Sequence, residues 1–279
     1  MIHLHTDIET YSSVDLKKSG VYKYADSVDF EILCVSFCYN VDRIDLKTLT
    51  KFKANKAYVF DWDDLPEIVK QDLQDDEVQK FAHNATFERV CYTAVGLNVG
   101  NRWICTAVLA GYNGLPMALK DVSAALELGD KAKSTAGPAL IRFFCMPCKP
   151  TKANKGRTRN LPEHDPVKWA EFKEYCKQDT VSEMAVFGEL CQWPLTAFEQ
   201  LLYQADQMIN QNGVQVDLDF IHSVLYLNEL DRAVMQARAK EITGLANPNS
   251  PVQLKQWIYE QTGEEIKDLT KGTLADYTS

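Results

Sequence analysis

The chain has 279 residues, 46% of them hydrophobic and 25% charged, which is enough for one large domain or two ordinary ones with a substantial core. A formal net charge of -9 excludes a general electrostatic attraction for nucleic acid, so such a partner needs a local basic patch or cations that bridge acids to phosphates. No apolar run is long enough to span a membrane, Met1 leads straight into a strand without room for a signal peptide, and most of the 8 cysteines fall in apolar periodic segments, as reduced core thiols of a cytosolic protein do.

Residues 2–9 alternate as a strand, with Ile2, Leu4, Thr6 and Ile8 on one face and His3, His5, Asp7 and Glu9 on the other. Asp7 and Glu9 therefore point the same way, about 7 Å apart along the chain. Neighbouring carboxylates repel, so this strand end either is solvated or faces something positive. His3 and His5 lie deeper on the same face and read as core or supporting residues. Residues 11–30 are polar and turn-rich. EILCVSFCYN is a second strand and residues 43–49 a third. Leu65, Ile68, Val69 and Leu73 have helical spacing; residues 77–84 read as a strand and 85–96 as a helix. Asn84 suits the N-cap of that helix, with Glu88 in its first turn, where the helix dipole favours a carboxylate. Residues 103–112 fit either strand or helix, and 119–129 and 137–145 fit short helices. Strands alternating with helices argue for an α/β domain.

Residues 145–165, CMPCKPTKANKGRTRNLPEHD, have no periodicity and several Pro and Gly signals. They concentrate Lys149, Lys152, Lys155, Arg157 and Arg159 without an acid before Glu163, which suits a nucleic-acid backbone or an ordinary solvated loop. Cys145 and Cys148, with His164 nearby, make at most half of a zinc or redox motif. Asp165 and Pro166 open a long helix whose apolar stripe holds Trp169, Phe172, Cys176, Val186 and Leu190. Tyr175 and Asp179 share one face of it, and Asp179 stands where an apolar residue is due, so it needs a lysine or another cation. Beyond residue 195 the pattern is helical. One helix ends at Asn212-Gly213, a long second follows, and a third opens with Ser250 and Pro251.

Taken together, D-x-E on the first strand, N-x-x-F-E after residue 83 and Y-x-x-x-D on the late helix resemble the three motifs of the DEDD superfamily of 3′–5′ exonucleases, in the subgroup with a tyrosine in the third. The resemblance implies an RNase H-like mixed sheet flanked by helices. It implies Asp7, Glu9, Glu88 and Asp179 as ligands of two divalent ions, Mg²⁺ or Mn²⁺. Asp7 would bridge both, Glu9 and Asp179 would serve the ion that activates water, and Glu88 the other. Tyr175 would orient the water. The family's second acid is usually Asp; here it is Glu88. Thr10, His83, Asn84 and Phe87 lie beside the motif acids and are implied contacts of the terminal nucleotides. DQMINQNGVQVD and NPNSPVQLKQWI resemble the start of the thumb region of family A DNA polymerases, in phage and prophage members. The implied organisation is a proofreading exonuclease domain at 1–194, then a smaller all-helical segment at 195–279. The implied partners are single-stranded DNA 3′ ends, primer-template DNA and the rest of a polymerase, in the cytoplasm of a bacterial host. With no palm or fingers in the sequence, primer extension is not expected. An RNA-processing exonuclease with the same acids, or a non-catalytic scaffold, are the alternatives.

Overall fold

The computed structural model describes residues 1–131 and 137–275. In chain order, β1 (Ile2–Tyr11) leads to α1 (Leu16–Ala25), β2 (Glu31–Tyr39), β3 (Arg43–Asp45), β4 (Thr50–Phe52) and β5 (Tyr58–Asp61). Next come α2 (Glu67–Gln74), β6 (Val78–Ala82), α3 (Thr86–Ala94), β7 (Trp103–Cys105) and α4 (Thr106–Tyr112). Four helices follow: α5 (Leu119–Ala125), α6 (Gly137–Phe144), α7 (Pro166–Leu190) and α8 (Ala197–Asn212).

Five strands form one sheet in the order β5-β2-β1-β6-β7. The strand β2 is antiparallel to β1 and β5, whereas β6 runs parallel to β1 and β7 parallel to β6. This is the RNase H-like mixed sheet. The parallel register, Ile2↔Val78 through His5↔Phe81, brings the carboxyl ends of β1 and β6 to the same end of the sheet. Asp7, Glu9 and the turn into α3 all lie there, where open α/β sheets characteristically bind ligands.

Both faces of β1 are covered, as a central strand requires. Leu4 and Ile8 join Val35, Phe37, Val69, Leu73, Tyr92 and Trp103 in the larger core. On the other face α7 packs across β1 and β2, and Phe172 and Cys176 meet Cys34, Phe144 and Trp169. Fully burying a side chain such as Phe172 contributes about 1.5–3 kcal/mol. The start of α7 is as expected: the Asp165 carboxylate accepts from Lys168 N at 3.1 Å, with Pro166 in the first turn.

Four local expectations change. Residues 11–30 contain α1, capped by Asp15 and broken at Gly20 (φ 75); its surface is polar, so no apolar stripe announces it. Of the strand expected over 43–49, only Arg43–Asp45 is strand, and it pairs with β4, just beyond that range, as a separate hairpin. The half-buried strand β5 went unrecognised, and residues 103–112 are strand and helix in succession.

One compact unit runs from Met1 through Gln211. Helix α8 belongs to it because Gln207 is buried against α3: its Oε1 accepts from Arg89 Nη1 at 3.0 Å and Thr86 Oγ1 at 2.8 Å. Gln200 Nε2 also donates to Trp103 O at 3.0 Å.

The second unit, from Asn212, holds α9 (Leu218–Thr243), α10 (Pro251–Thr262) and α11 (Lys271–Ala275). Asp217 caps α9, and Gly244 ends it in the left-handed conformation (φ 68). Ser250 and Pro251 open α10 as expected. Among the described residues, no helix is long and apolar enough to cross a membrane.

Candidate metal centre at the end of the central strand

The pairing of β1 with β2 slips between Glu9 and Thr10, so Glu9 opposes Cys34 while Thr10 opposes Ile32. Such a bulge twists the strand end and re-aims its side chains. Asp7 is half-buried and Glu9 and Asp179 are buried, and one carboxylate oxygen of each lies within 4.8 Å of the others. Asp179 reaches this point because α7 lays its inner face over β1. One turn earlier on the same helix face, Tyr175 is buried. Burial, then the charges of Asp179 and Glu9, push the Tyr175 phenol well above its usual range.

A residue that sequence reasoning missed keeps Tyr175 in place. A Cβ on Gly137, at the start of α6, would lie 2.4 Å from two ring carbons of Tyr175 and 2.7 Å from its hydroxyl. Real Cβ atoms do not approach so closely, so the tyrosine position depends on a glycine there.

Two thiols also reach the acids. Cys145 Sγ lies 3.6 Å from Glu9 Oε2, and Cys176 Sγ lies 3.5 Å from Asp7 Oδ2. Burial pushes both thiols well above their ordinary range, so they stay protonated and act as donors. Cys148 turns elsewhere, with its Sγ donating to Arg157 O at 3.4 Å. His164 Nδ1 accepts from Leu161 N at 2.8 Å. Cys145, Cys148 and His164 form no metal-binding group among the described residues.

Glu88 occupies the first turn of α3, as expected, but Asn84 is not the cap. Ala85 holds that position without a side-chain hydrogen bond, and Asn84 is left-handed (φ 72) with its carbonyl accepting from Phe87 N at 2.9 Å. Asparagine tolerates that conformation and turns the chain from β6 into the helix. Glu88 is only 3% exposed, and its Oε2 has no hydrogen-bond partner among the described residues. Burial, then the nearby charge of Asp7, raises its carboxyl well above the usual range; Glu183 and Glu9 push the same way. Glu88 lies outside the 4.8 Å cluster.

Glu183 is a second residue missed from sequence. It follows Asp179 by one helical turn and is 2% exposed. Its Oε2 pairs with His5 Nδ1 at 2.7 Å, while its Oε1 has no hydrogen-bond partner among the described residues. The His5 ring stacks on Phe81 at 4.4 Å and 17°. The i, i+4 spacing from Asp179 was the available signal.

The expected nucleotide contacts are unequally placed. Asn84 is exposed, and His83 and Phe87 are half-buried. The His83 ring is held from both sides, by Thr106 Oγ1 at 3.1 Å and Met117 O at 2.8 Å. Thr10 is buried, its hydroxyl bonded to Tyr24 Oη at 2.9 Å. In the basic loop, Asn154 Nδ2 donates to Lys149 O at 2.8 Å and Arg157 O at 3.2 Å, which fixes the turn. Lys149, Lys152 and Lys155 are exposed and Arg157 is half-buried. Arg159 instead anchors the loop, stacking over Tyr11 at 3.7 Å and pairing with Glu31 at 2.5 Å.

No protein-family model matches the chain. Over 276 residues, 98% of its length, it is 43% identical to the DNA polymerase of Bacillus phage SP02. The chain is similar to a phage DNA polymerase. It spans 41% of that polymerase's length, and the match runs through both units. Solved structures matched by the chain include one described as the apo form of the nuclease, at 12% identity and a TM-score of 0.33, with 68% of this chain and 72% of that one covered. Another is Escherichia coli RNase D, an exoribonuclease involved in structured RNA processing, at 14% identity and a TM-score of 0.37, with 74% of this chain and 45% of that one covered.

Proposed function

We propose that this chain is the proofreading 3′–5′ exonuclease portion of a phage-type family A DNA polymerase, hydrolysing the 3′-terminal phosphodiester of DNA with two divalent cations, Mg²⁺ or Mn²⁺. The observation that carries the reading is the convergence of Asp7, Glu9 and Asp179 within 4.8 Å, with Tyr175 buried one helical turn before Asp179. The donor set fits a hard cation: the ligand atoms are carboxylate oxygens, and Glu88 supplies a further buried one without a hydrogen-bond partner among the described residues. Two such cations, when bound, stabilise the negative charge on the attacking and leaving oxygens.

The chain's own residues do the rest. Asp7, a member of the cluster whose charge also acts on Glu88, would serve both ions, Glu9 and Asp179 would hold the ion on the water side, and Glu88 would hold the other. The Tyr175 hydroxyl, kept protonated, orients the attacking water rather than removing its proton. Asn84, His83, Phe87 and Thr10 flank the terminal nucleotides. Lys149, Lys152, Lys155 and Arg157 meet the backbone of single-stranded or primer-template DNA, and Arg159 holds their loop in place. Residues 195–279 contain the first helices of the thumb, and the site of action is the cytoplasm of a bacterial host.

The test is degradation of end-labelled single-stranded DNA and of matching RNA by the purified chain, with Mg²⁺, Mn²⁺ or EDTA. Stepwise loss from the 3′ end of DNA, abolished by EDTA, is expected. Metal-independent cleavage, or a preference for RNA, would overturn the reading.

A further inference from the structure

The four motif acids do not account for all the buried negative charge in this region. Glu183, on the same face of α7 as Asp179, is 2% exposed, and its charge bears directly on Glu88. The bland explanation is a buried ion pair with His5. That pair occupies only Glu183 Oε2. Glu183 Oε1 and Glu88 Oε2 are both buried, and neither has a hydrogen-bond partner among the described residues. One orphaned carboxylate oxygen is already costly, and two that repel each other are more so. Structures keep such an arrangement where something positive is bound between the acids.

His5 strengthens the case. Its ring is fixed by stacking on Phe81 at 4.4 Å, and its Nδ1 sets the direction of Glu183. A carboxylate held at one oxygen, with the other left free, is the arrangement by which proteins orient groups that serve a metal.

We infer that Glu183, oriented by His5, is a fifth carboxylate of the metal centre, and that with Glu88 and the shared Asp7 it holds the second cation, the one not served by Glu9 and Asp179. The inference rests on the two-metal reading above. It also answers the departure at Glu88. The longer glutamate reaches a site that draws on a second, deeper acid, so the second cation is held by more protein charge than a single aspartate supplies.

The test is Mn²⁺ binding followed by calorimetry, with thermal melting in EDTA and in Mn²⁺, for the full chain and for Glu183→Gln, Glu183→Asp and Asp7→Ala. The wild type should bind two ions. Glu183→Gln should keep the tighter step and weaken the other by about tenfold or more. It should melt no lower than wild type in EDTA, yet gain less from Mn²⁺. Glu183→Asp, which keeps the charge, should recover part of the second step and reports on the site even if the glutamine variant folds poorly. If both Glu183 variants bind two ions as the wild type does and merely melt lower in EDTA, Glu183 is only the partner of His5 and the inference fails. If Asp7→Ala retains both binding steps, the two-metal reading itself fails, a result that the Glu183 variants alone cannot produce.

Discussion

Around the Asp7–Glu9–Asp179 cluster, protein donors are close at hand: the Cys145 thiol lies 3.6 Å from Glu9 Oε2, and the Cys176 thiol 3.5 Å from Asp7 Oδ2. Around Glu88 the surroundings are the opposite. Its Oε2 and the Oε1 of neighbouring Glu183 are buried without a hydrogen-bond partner among the described residues. The same carboxylate chemistry is thus handled in two ways. The first group is organised by weak donors that tolerate a negative charge before any cation arrives. The second is left under-compensated, so its geometry and charge state depend on what binds. A cation therefore meets one prepared group and one that it must complete.

The largest expected effect comes from removing the residue common to both groups. Asp7→Ala should lower DNA cleavage on the order of 10³-fold or more, while melting in EDTA stays at or above the wild-type value because repulsion among the acids is relieved. Near-normal single-turnover rates would break the comparison at its root.

The prepared group is probed through Tyr175. Tyr175→Phe removes only the hydroxyl and should slow cleavage by about 10²-fold, the scale of one positioned proton-handling group, with the Mg²⁺ requirement unchanged. Gly137→Ala should slow cleavage in the same sense, since its new methyl would displace the Tyr175 ring. Equal rates for Gly137→Ala and wild type would show that the ring has room the geometry denies.

The under-compensated group is probed by pH without metal. The raised Glu88 carboxyl favours the folded state while protonated, below the unfolded carboxylate range near about pH 4.3. That contribution is lost as pH rises toward the folded value. In EDTA, Glu88→Gln should therefore match wild-type stability near pH 4 and exceed it at neutral pH. Denaturant melts across that range decide it; a gap that fails to widen with pH would place Glu88 with the prepared group.

The smallest effect concerns the basic loop, outside both groups. Replacing Lys152, Lys155 and Arg157 with Ala should weaken single-strand binding and flatten its salt dependence by about 0.7 per lost phosphate contact. An unaltered slope would leave these side chains simply solvated.

What was legible in the sequence follows from range. The strand carrying Asp7 and Glu9, the helix carrying Tyr175 and Asp179, and the Asp165 cap are short-range patterns, and periodicity or capping chemistry reports them directly. The helix α1 has no apolar stripe and is interrupted at Gly20, so pattern alone missed it. Asn84 has the right chemistry for a cap, and only the backbone shows it spent on a left-handed turn instead. The His5–Glu183 pair joins residues from the first strand and the late helix, and nothing local predicts such a meeting. The close approach of Gly137 to Tyr175 is likewise a fact of packing between two helices.

Gln207 accepts hydrogen bonds from both Arg89 and Thr86, and Arg89 is the immediate neighbour of Glu88. This has a bearing on recombination among relatives. An exchange joined at residue 194 would import Arg89 with its Asn101 acceptor, at 2.8 Å from Nη2, but without its Gln207 acceptor, and leave Nη1 facing whatever the recipient happens to carry at the position of Gln207. An exchange joined after Gln211 would move α3 and α8 together. The heritable cassette is then residues 1–211, and hybrids spliced inside α8 should survive only where both parents share the arginine–glutamine match.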